Sequence, residues 1–419
     1  MRGAEQQAEI IMALSKEDND LVTRVEHGAP LGEMLRQWYW MPAAPSSQLS
    51  ADGKPLRLRL LGMDLVAFRS SDGRVAIFDE RCPHRKASLA LAHNRDNALT
   101  CVYHGWKFDV AEGLVHAPNH TGDQERFCKS VKFNRYKVEE RGGIIWVWLG
   151  KGMEPPRFPD LPFTALPPNQ RSVTSVQVPT NWLQAVEASM DSSHVSFLHD
   201  TTTKMSGSTQ RLNMSLNGAP RFEFEERPYG FRYVALRDLQ GGQTYARINN
   251  FVMPWYAVIC APDQNGPSTV FFSVPVDDFT HRAWFVHFNP HHDLGMTALS
   301  CTPDEWRWPP LPPGAADDNW GQNRDLMRKG HASGFPQHLA TEDFAMFISQ
   351  GPICDRTDEQ LCSADAAVVR LRRQLLQSIQ DFQDGKPPRF AHGSDLDYSR
   401  AVSVGGVLST GEDWRTLVA

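Results

Sequence analysis

No apolar stretch in the 419 residues approaches the length of a membrane span, and the Met1 region lacks the basic-then-apolar layout of an export signal. A cytoplasmic address and the absence of a membrane partner follow as expectations. Runs of Lys and Arg are missing too, and a formal net charge of -6 offers no general attraction to nucleic acid. There is no internal repeat and no low-complexity tract. Cysteine is scarce: seven thiols, an odd number spread through a long chain, do not read as a disulfide framework. The question becomes which of them bind metal. Only Cys82 and Cys101 have histidines at ligand spacing; Cys128, Cys260, Cys301, Cys354 and Cys362 read as ordinary thiols, most of them buried.

What is present is a globular composition, 41% hydrophobic and 22% charged, on a chain long enough for two unequal domains. Residues 1–14 read as a variable tail, followed by a helix capped at Ser15 with Glu17 and Asp18 in its first turn. From about Arg57 to Leu149 short strands alternate with turns. The prolines from Pro155 to Pro168 make the best boundary, dividing 15–155 from 156–419. Beyond it, Asn181 to His199 reads as a helix and Thr201 to Ser208 as a polar loop. Alternating segments at Phe222–Phe224, Phe231–Leu236, Tyr245–Val252, Val270–Val274 and Trp284–Phe288 predict an antiparallel sheet. Pro309 to Pro313 forms another proline-rich loop. A helix from Ala364 to about Phe382 carries Ser363 as its predicted N-cap. The fold class expected is α+β: an all-β N-terminal domain, then an antiparallel sheet flanked by helices.

Two mixed arms carry the first chemistry: Cys82-Pro83-His84 and Cys101-Val102-Tyr103-His104, separated by the sixteen residues from Arg85 to Thr100. Two thiolates on one iron and two imidazoles on the other suit a two-iron cluster. Replacing anionic thiolates by neutral imidazoles raises its potential above an all-cysteine cluster. Gly105 permits close backbone approach, and Trp106 can shield such a cluster. Two Cys and two His also satisfy tetrahedral zinc. Zinc fingers, however, usually pair Cys with Cys and His with His, whereas here each arm is mixed.

The second constellation lies around Glu187, Asp191, His194 and His199. Asp191 and His194 share a helical face, with Glu187 one turn back. His194 and His199 sit about 140° apart on an ideal helix, so both reach one metal only if the helix ends or bulges between them. Two imidazoles plus one carboxylate make the facial triad of non-heme Fe(II) oxygenases, with positions left open for O₂. Asp343 is the chosen carboxylate and Glu342 its nearest competitor. Acids opening a helix, as these two would, commonly do no more than complement its dipole.

Cys82-Pro-His-Arg with Cys101-Val-Tyr-His-Gly-Trp-Lys-Phe-Asp resembles the Rieske domain of ring-hydroxylating oxygenases. Asn181-Trp-Leu-Gln followed by Asp191-Ser-Ser-His-Val-Ser-Phe-Leu-His199 resembles their iron-binding motif. Leu14-Ser-Lys-Glu-Asp-Asn, Gly351-Pro-Ile-Cys-Asp-Arg-Thr and Ser363-Ala-Asp are similar to the phthalate dioxygenase-like branch. The resemblance implies a [2Fe-2S] cluster on Cys82, His84, Cys101 and His104, and a catalytic Fe(II) on His194, His199 and Asp343. It implies that Asp191 bridges to a cluster histidine of a neighbouring subunit, which makes an oligomer, typically a homotrimer, obligatory. From its place on the same helical face, Glu187 is expected to stand behind the iron ligands. Electrons would come from NAD(P)H through a separate flavin/iron–sulfur reductase, since no G-x-G-x-x-G fingerprint occurs here. Lys86 departs from the family, which usually has glycine there.

The substrates implied are aromatic carboxylates and related compounds, so cationic anchors were sought on the predicted strands. Arg247 shares a face with Tyr245 and Phe251; Arg232 shares one with Val234 and Leu236. Either offers a bidentate fork to a carboxylate, and either could instead face solvent. Oxidative O- or N-dealkylation is the alternative chemistry. An electron carrier without chemistry of its own would need only the first constellation.

Overall fold

A computed structural model describes residues 13–205, 209–260, 266–294, 316–335, 339–393 and 396–418. The expected tail up to Met12, the Pro309–Pro313 loop, the end of the Thr201–Ser208 loop and Cys301 lie outside the described residues. Of the other four ordinary thiols, Cys128 and Cys260 are buried, Cys354 is half-buried and Cys362 is exposed.

Helix α1 (Lys16–Thr23) begins where expected, with the Ser15 hydroxyl accepting the Asp18 N–H. Helix α2 (Pro30–Trp38) starts on proline, whose missing N–H costs nothing in a first turn. Ten short strands follow: β1 (Met41–Pro45), β2 (Leu56–Leu60), β3 (Met63–Arg69), β4 (Val75–Asp79), β5 (His93–Arg95), β6 (Ala98–Thr100), β7 (Lys107–Asp109), β8 (Gly113–His116), β9 (Lys137–Arg141) and β10 (Ile144–Trp148). They form three antiparallel sheets, ordered β1-β10-β9, β2-β3-β4 and β5-β6-β7-β8. Val66, Phe68, Phe78, Leu89, Leu99 and Phe108 make a small separate core beneath the loops that carry the Cys/His arms.

The second half is one eight-stranded antiparallel sheet. Its strands are β11 (Arg171–Val178), β12 (Arg221–Arg227), β13 (Gly230–Asp238), β14 (Thr244–Val252), β15 (Tyr256–Ile259), β16 (Ser268–Pro275), β17 (His281–Phe288) and β18 (Gly405–Leu408). The order is β11-β17-β16-β15-β14-β13-β12, with β18 paired to β14. All five segments chosen by alternation are strands; β11, β15 and β18 were not foreseen. Against the sheet packs α3 (Trp182–Met190), on which α5 (Leu339–Ser349) and α6 (Ala366–Gln383) pack in turn; α4 (Asp200–Met205) follows α3 closely. The N-cap of α6 is Asp365 rather than Ser363, which instead opens a 3₁₀ turn.

Two helical expectations change. The helix expected over 181–199 stops at Met190, and the helix Asp200–Met205 takes in the first part of the expected polar loop. Asn181 caps α3 through the Leu183 N–H, and Asp191 ends it. The run Asp191-Ser192-Ser193 explains the stop, since short polar side chains compete for backbone groups at helix ends.

The main core contains Trp146, Trp182, Trp255 and Trp284, all buried. Two buried histidines report on its dryness. His281 donates from Nδ1 to the Thr180 carbonyl at 2.8 Å, and His392 accepts the Trp40 N–H at 3.1 Å. Burial pushes their pKa values down to about 4 and about 3 respectively. Both lie below the ~6.5 of an unfolded histidine, so the unfolded chain binds more protons between those values. Stability is therefore lost as pH falls from about 6.5 toward 4. The urea midpoint is expected to fall more steeply over this window in the wild type than in His392→Gln; parallel profiles would show that His392 takes no part.

Candidate active site

The two Cys/His arms are built alike. In each, the N–H four residues after the cysteine donates to the cysteine carbonyl, from Lys86 to Cys82 and from Gly105 to Cys101, both at 2.9 Å. The fifth residue of each tip is left-handed, with φ of 62° at Lys86 and 72° at Gly105. This explains the position at which glycine was expected. Lys86 carries a strain of roughly 1–2 kcal/mol, tolerated because the side chain is exposed. At Gly105 an added Cβ would lie 3.0 Å from Pro118.

Between the tips, Cys82 and Cys101 are buried, while the rings of His84 and His104 lie 4.4 Å apart, half-exposed. Trp106 stacks on His84 at 4.7 Å and donates from its indole to Asn119 at 2.8 Å. Burial, and then the neighbouring Cys101, push the Cys82 thiol up to about 11, although the backbone N–H groups of His84 and Arg85 pull the other way. The buried Nδ1 of His84 has no hydrogen-bond partner. Two adjacent buried thiols and an unsatisfied imidazole nitrogen fit a cationic iron pair, which takes thiolates and neutral imidazoles.

The second group forms where α3 ends. Asp191 closes the turn by accepting the Ser193 N–H at 2.6 Å and the His194 N–H at 3.2 Å. His194 then opens a 3₁₀ turn, and the His199 carbonyl accepts from Thr203 at the start of α4. This break, earlier than expected, turns both rings toward Asp343 on α5. Ligand atoms of His194, His199 and Asp343 all lie within 4.8 Å of one another. Asp343 Oδ1 is 3.8 Å from His194 Nε2 and 3.1 Å from His199 Nε2. Glu342 is not the third donor of this group: it meets the other side of His199, with Oε2 2.6 Å from Nδ1. Burial alone would lower the pKa of His199, but Asp343 and Glu342 outweigh it and raise it to about 9. A divalent cation offers the same compensation without the proton, and the donor set of two imidazoles and a carboxylate suits Fe(II).

Glu187 is a correction. Its carboxylate is bound by Arg356 at 2.8 Å and Arg372 at 2.6 Å, and none of its described hydrogen bonds reaches an imidazole of the site. It secures α3 instead. The Gly351–Arg356 segment clasps the same helix: Thr180 and Gln184 donate to the Gly351 carbonyl at 2.9 and 3.0 Å, and Cys354 N–H donates to Gln184 at 3.1 Å.

Beneath the turn lie strands β13 and β14. Their register pairs Ala235 with Arg247 and Arg237 with Tyr245, so Arg237 and Arg247 share a face and Arg232 occupies the opposite one. Arg232 is engaged there by Asn250 and the Arg400 carbonyl at 3.3 and 3.2 Å, which corrects its candidacy as an anchor beside Arg247. Sequence reading passed over Arg237. Alternation with Tyr233 and Ala235, plus the Gly241-Gly242 hairpin turn, carried the signal. Both arginines meet buried Ser192: Arg237 donates to its carbonyl at 2.6 Å, and Arg247 to its hydroxyl at 3.2 Å.

A family model for the Rieske [2Fe-2S] domain matches residues 39–131, and one described as LigXa C-terminal domain like matches 147–419. The chain belongs to the Rieske non-heme iron oxygenases, as an oxygenase subunit with a [2Fe-2S] cluster and a mononuclear iron that uses O₂. It is 36% identical over 425 residues to the phthalate 4,5-dioxygenase oxygenase subunit of Pseudomonas putida, covering 96% of this chain and 94% of that one. Identity to the 3-chlorobenzoate-3,4-dioxygenase oxygenase subunit of Comamonas testosteroni is 34% over 390 residues, covering 88% and 89%. The fold is also that of dicamba monooxygenase bound to dicamba, with a TM-score of 0.57 at 18% identity over 84% of this chain and 99% of that one. As an oxygenase subunit of a multicomponent system, the protein draws electrons from a separate reductase. Among the described residues, no helix is long and apolar enough to cross a membrane.

His199→Ala is expected to lose about one iron in three while keeping the visible absorption of the cluster. Retention of all the iron would contradict the grouping of His199 with His194 and Asp343.

Proposed function

We propose that this subunit hydroxylates an aromatic carboxylate at a mononuclear iron held by His194, His199 and Asp343. Its electrons would arrive through a cluster on Cys82, His84, Cys101 and His104. The division of labour is between a Rieske domain up to about residue 155 and a catalytic domain beyond it. When bound, the iron supplies O₂ activation; the chain's own residues orient the substrate and keep the site dry.

The observation that carries the carboxylate is the pair Arg237 and Arg247. Arg237 is fully buried and Arg247 nearly so, and Arg237 Nη1 and Arg247 Nε have no hydrogen-bond partner. Neither arginine is in a described ion pair with a carboxylate. Burial, and then the charge of Arg247, bring the Arg237 pKa down to about 10. Buried guanidinium groups without a counter-charge are costly. An incoming carboxylate would relieve that cost with charge-assisted, bidentate bonds. The phthalate and 3-chlorobenzoate names of the similar subunits fit such a substrate. A similar O-demethylase subunit keeps dealkylation as the second reaction, told apart by product analysis.

Asp191 belongs to the electron route in this reading. It lies 3.4 Å from His194 Nδ1 with a quarter of its side chain exposed, where a cluster histidine of a neighbouring subunit could meet it. Such a bridge calls for an oligomer, read here as a homotrimer, in the cytoplasm, served by a flavin/iron–sulfur reductase oxidising NAD(P)H.

Two outcomes test this. Arg247→Gln should raise KM for an aromatic acid by about 10- to 100-fold, the loss of roughly 1.5–3 kcal/mol from a charged hydrogen bond. Its neutral methyl ester should be unaffected; equal changes for both would count against the anchor. Asp191→Asn should keep both metals yet uncouple cluster oxidation from product formation, and normal single-turnover kinetics would refute the bridge.

A further inference from the structure

Helix α5 presents two consecutive acids to one imidazole from opposite sides. Asp343 faces His199 Nε2, and Glu342 Oε2 lies 2.6 Å from Nδ1. Glu342 has no exposure at all. Its remaining described partners are hydroxyls: Ser333 donates to Oε1 at 2.5 Å, and Thr202 lies 3.4 Å from Oε2. No lysine or arginine is among these described partners, so a wholly buried carboxylate depends for its counter-charge on the ring it touches. Burying a carboxylate in this way is costly unless positive charge stands next to it. A metal on the far nitrogen of His199 would supply that charge.

His194 is held differently. Its Nδ1 makes no hydrogen bond, with Asp191 standing 3.4 Å away. The two imidazoles therefore differ in setting: His199 is buried against Glu342, and His194 sits partly exposed at a polar turn.

We propose that Glu342 is a positioning residue: by accepting the Nδ1–H of His199 it sets the tautomer whose Nε2 lone pair faces the metal, and raises that nitrogen's basicity. Ser333 extends the hold by anchoring the second oxygen of the carboxylate. His199 is then the anchor ligand of the site and His194 the adjustable one. The inference rests on the reading that His199 binds the mononuclear metal. An orienting acid behind a ligating histidine typically changes metal affinity by about 10- to 100-fold.

The test is Fe(II) equilibrium dialysis under argon on protein stripped of its mononuclear iron with the cluster retained. Glu342→Gln keeps the shape of the side chain and removes its charge. Its Fe(II) dissociation constant should rise about 10- to 100-fold, more than that of Asp191→Asn, with the electron paramagnetic resonance signal of the reduced cluster unchanged. Glu342→Asp should fall between Gln and wild type, and it serves as the measurement if the Gln variant does not accumulate. An affinity within about twofold of wild type in whichever variant is measured would overturn the positioning role. His199→Ala separates the two levels. If it still binds Fe(II) like the wild type, the ligand reading itself has failed; if it does not, a failure with Glu342 falls on this inference alone.

Discussion

The proposed iron site depends on one convergence: two imidazoles from a broken helix meeting a carboxylate from a helix some 140 residues later. Helix α3 delivers the first two only because it stops at Met190. A continuous helix would set His194 and His199 about 140° apart, and they could not share an ion. The Asp191-Ser192-Ser193 turn supplies the stop, and the Asp191 carboxylate folds back onto the N–H groups of Ser193 and His194. Glu187, Gln184 and Thr180, bound by Arg356, Arg372 and the Gly351 carbonyl, keep the helix seated while its end is used for chemistry.

Charge is arranged around that convergence in two layers. Asp191, Glu342 and Asp343 surround the imidazoles with negative charge, as a divalent cation requires. Arg237 and Arg247 lie beneath the same turn, with Ser192 between the two layers. The proposed iron site and the proposed carboxylate anchor thus share one short segment of chain.

Much of this was legible in the sequence because local chemistry fixed it. The mixed Cys/His arms announced the cluster, and period-two alternation found five strands of the large sheet. Ser15 and Asn181 behave as caps should. The parts that were not legible depended on distant partners. Glu342 and Asp343 are adjacent acids at the opening of one helix; only their directions relative to His199 separate their contacts. Glu187 lies a turn from Asp191 in sequence, yet two remote arginines claim it. Arg237 joins Arg247 only through strand register, because pairing across the Gly241-Gly242 turn decides which residues of the two strands share a face. Lys86 shows the reverse case, where the structure accounts for an oddity of the sequence: the left-handed tip needs a particular φ, and solvent leaves room for a side chain.

The most direct measurement is an anomalous difference map, collected at the iron absorption edge from crystals of the as-isolated protein. Two iron peaks are expected between the Cys82/Cys101 pair and the His84/His104 pair, and a separate single peak beside His194, His199 and Asp343. A map with no peak at that last position, or with zinc between the Cys/His arms, would contradict that expectation.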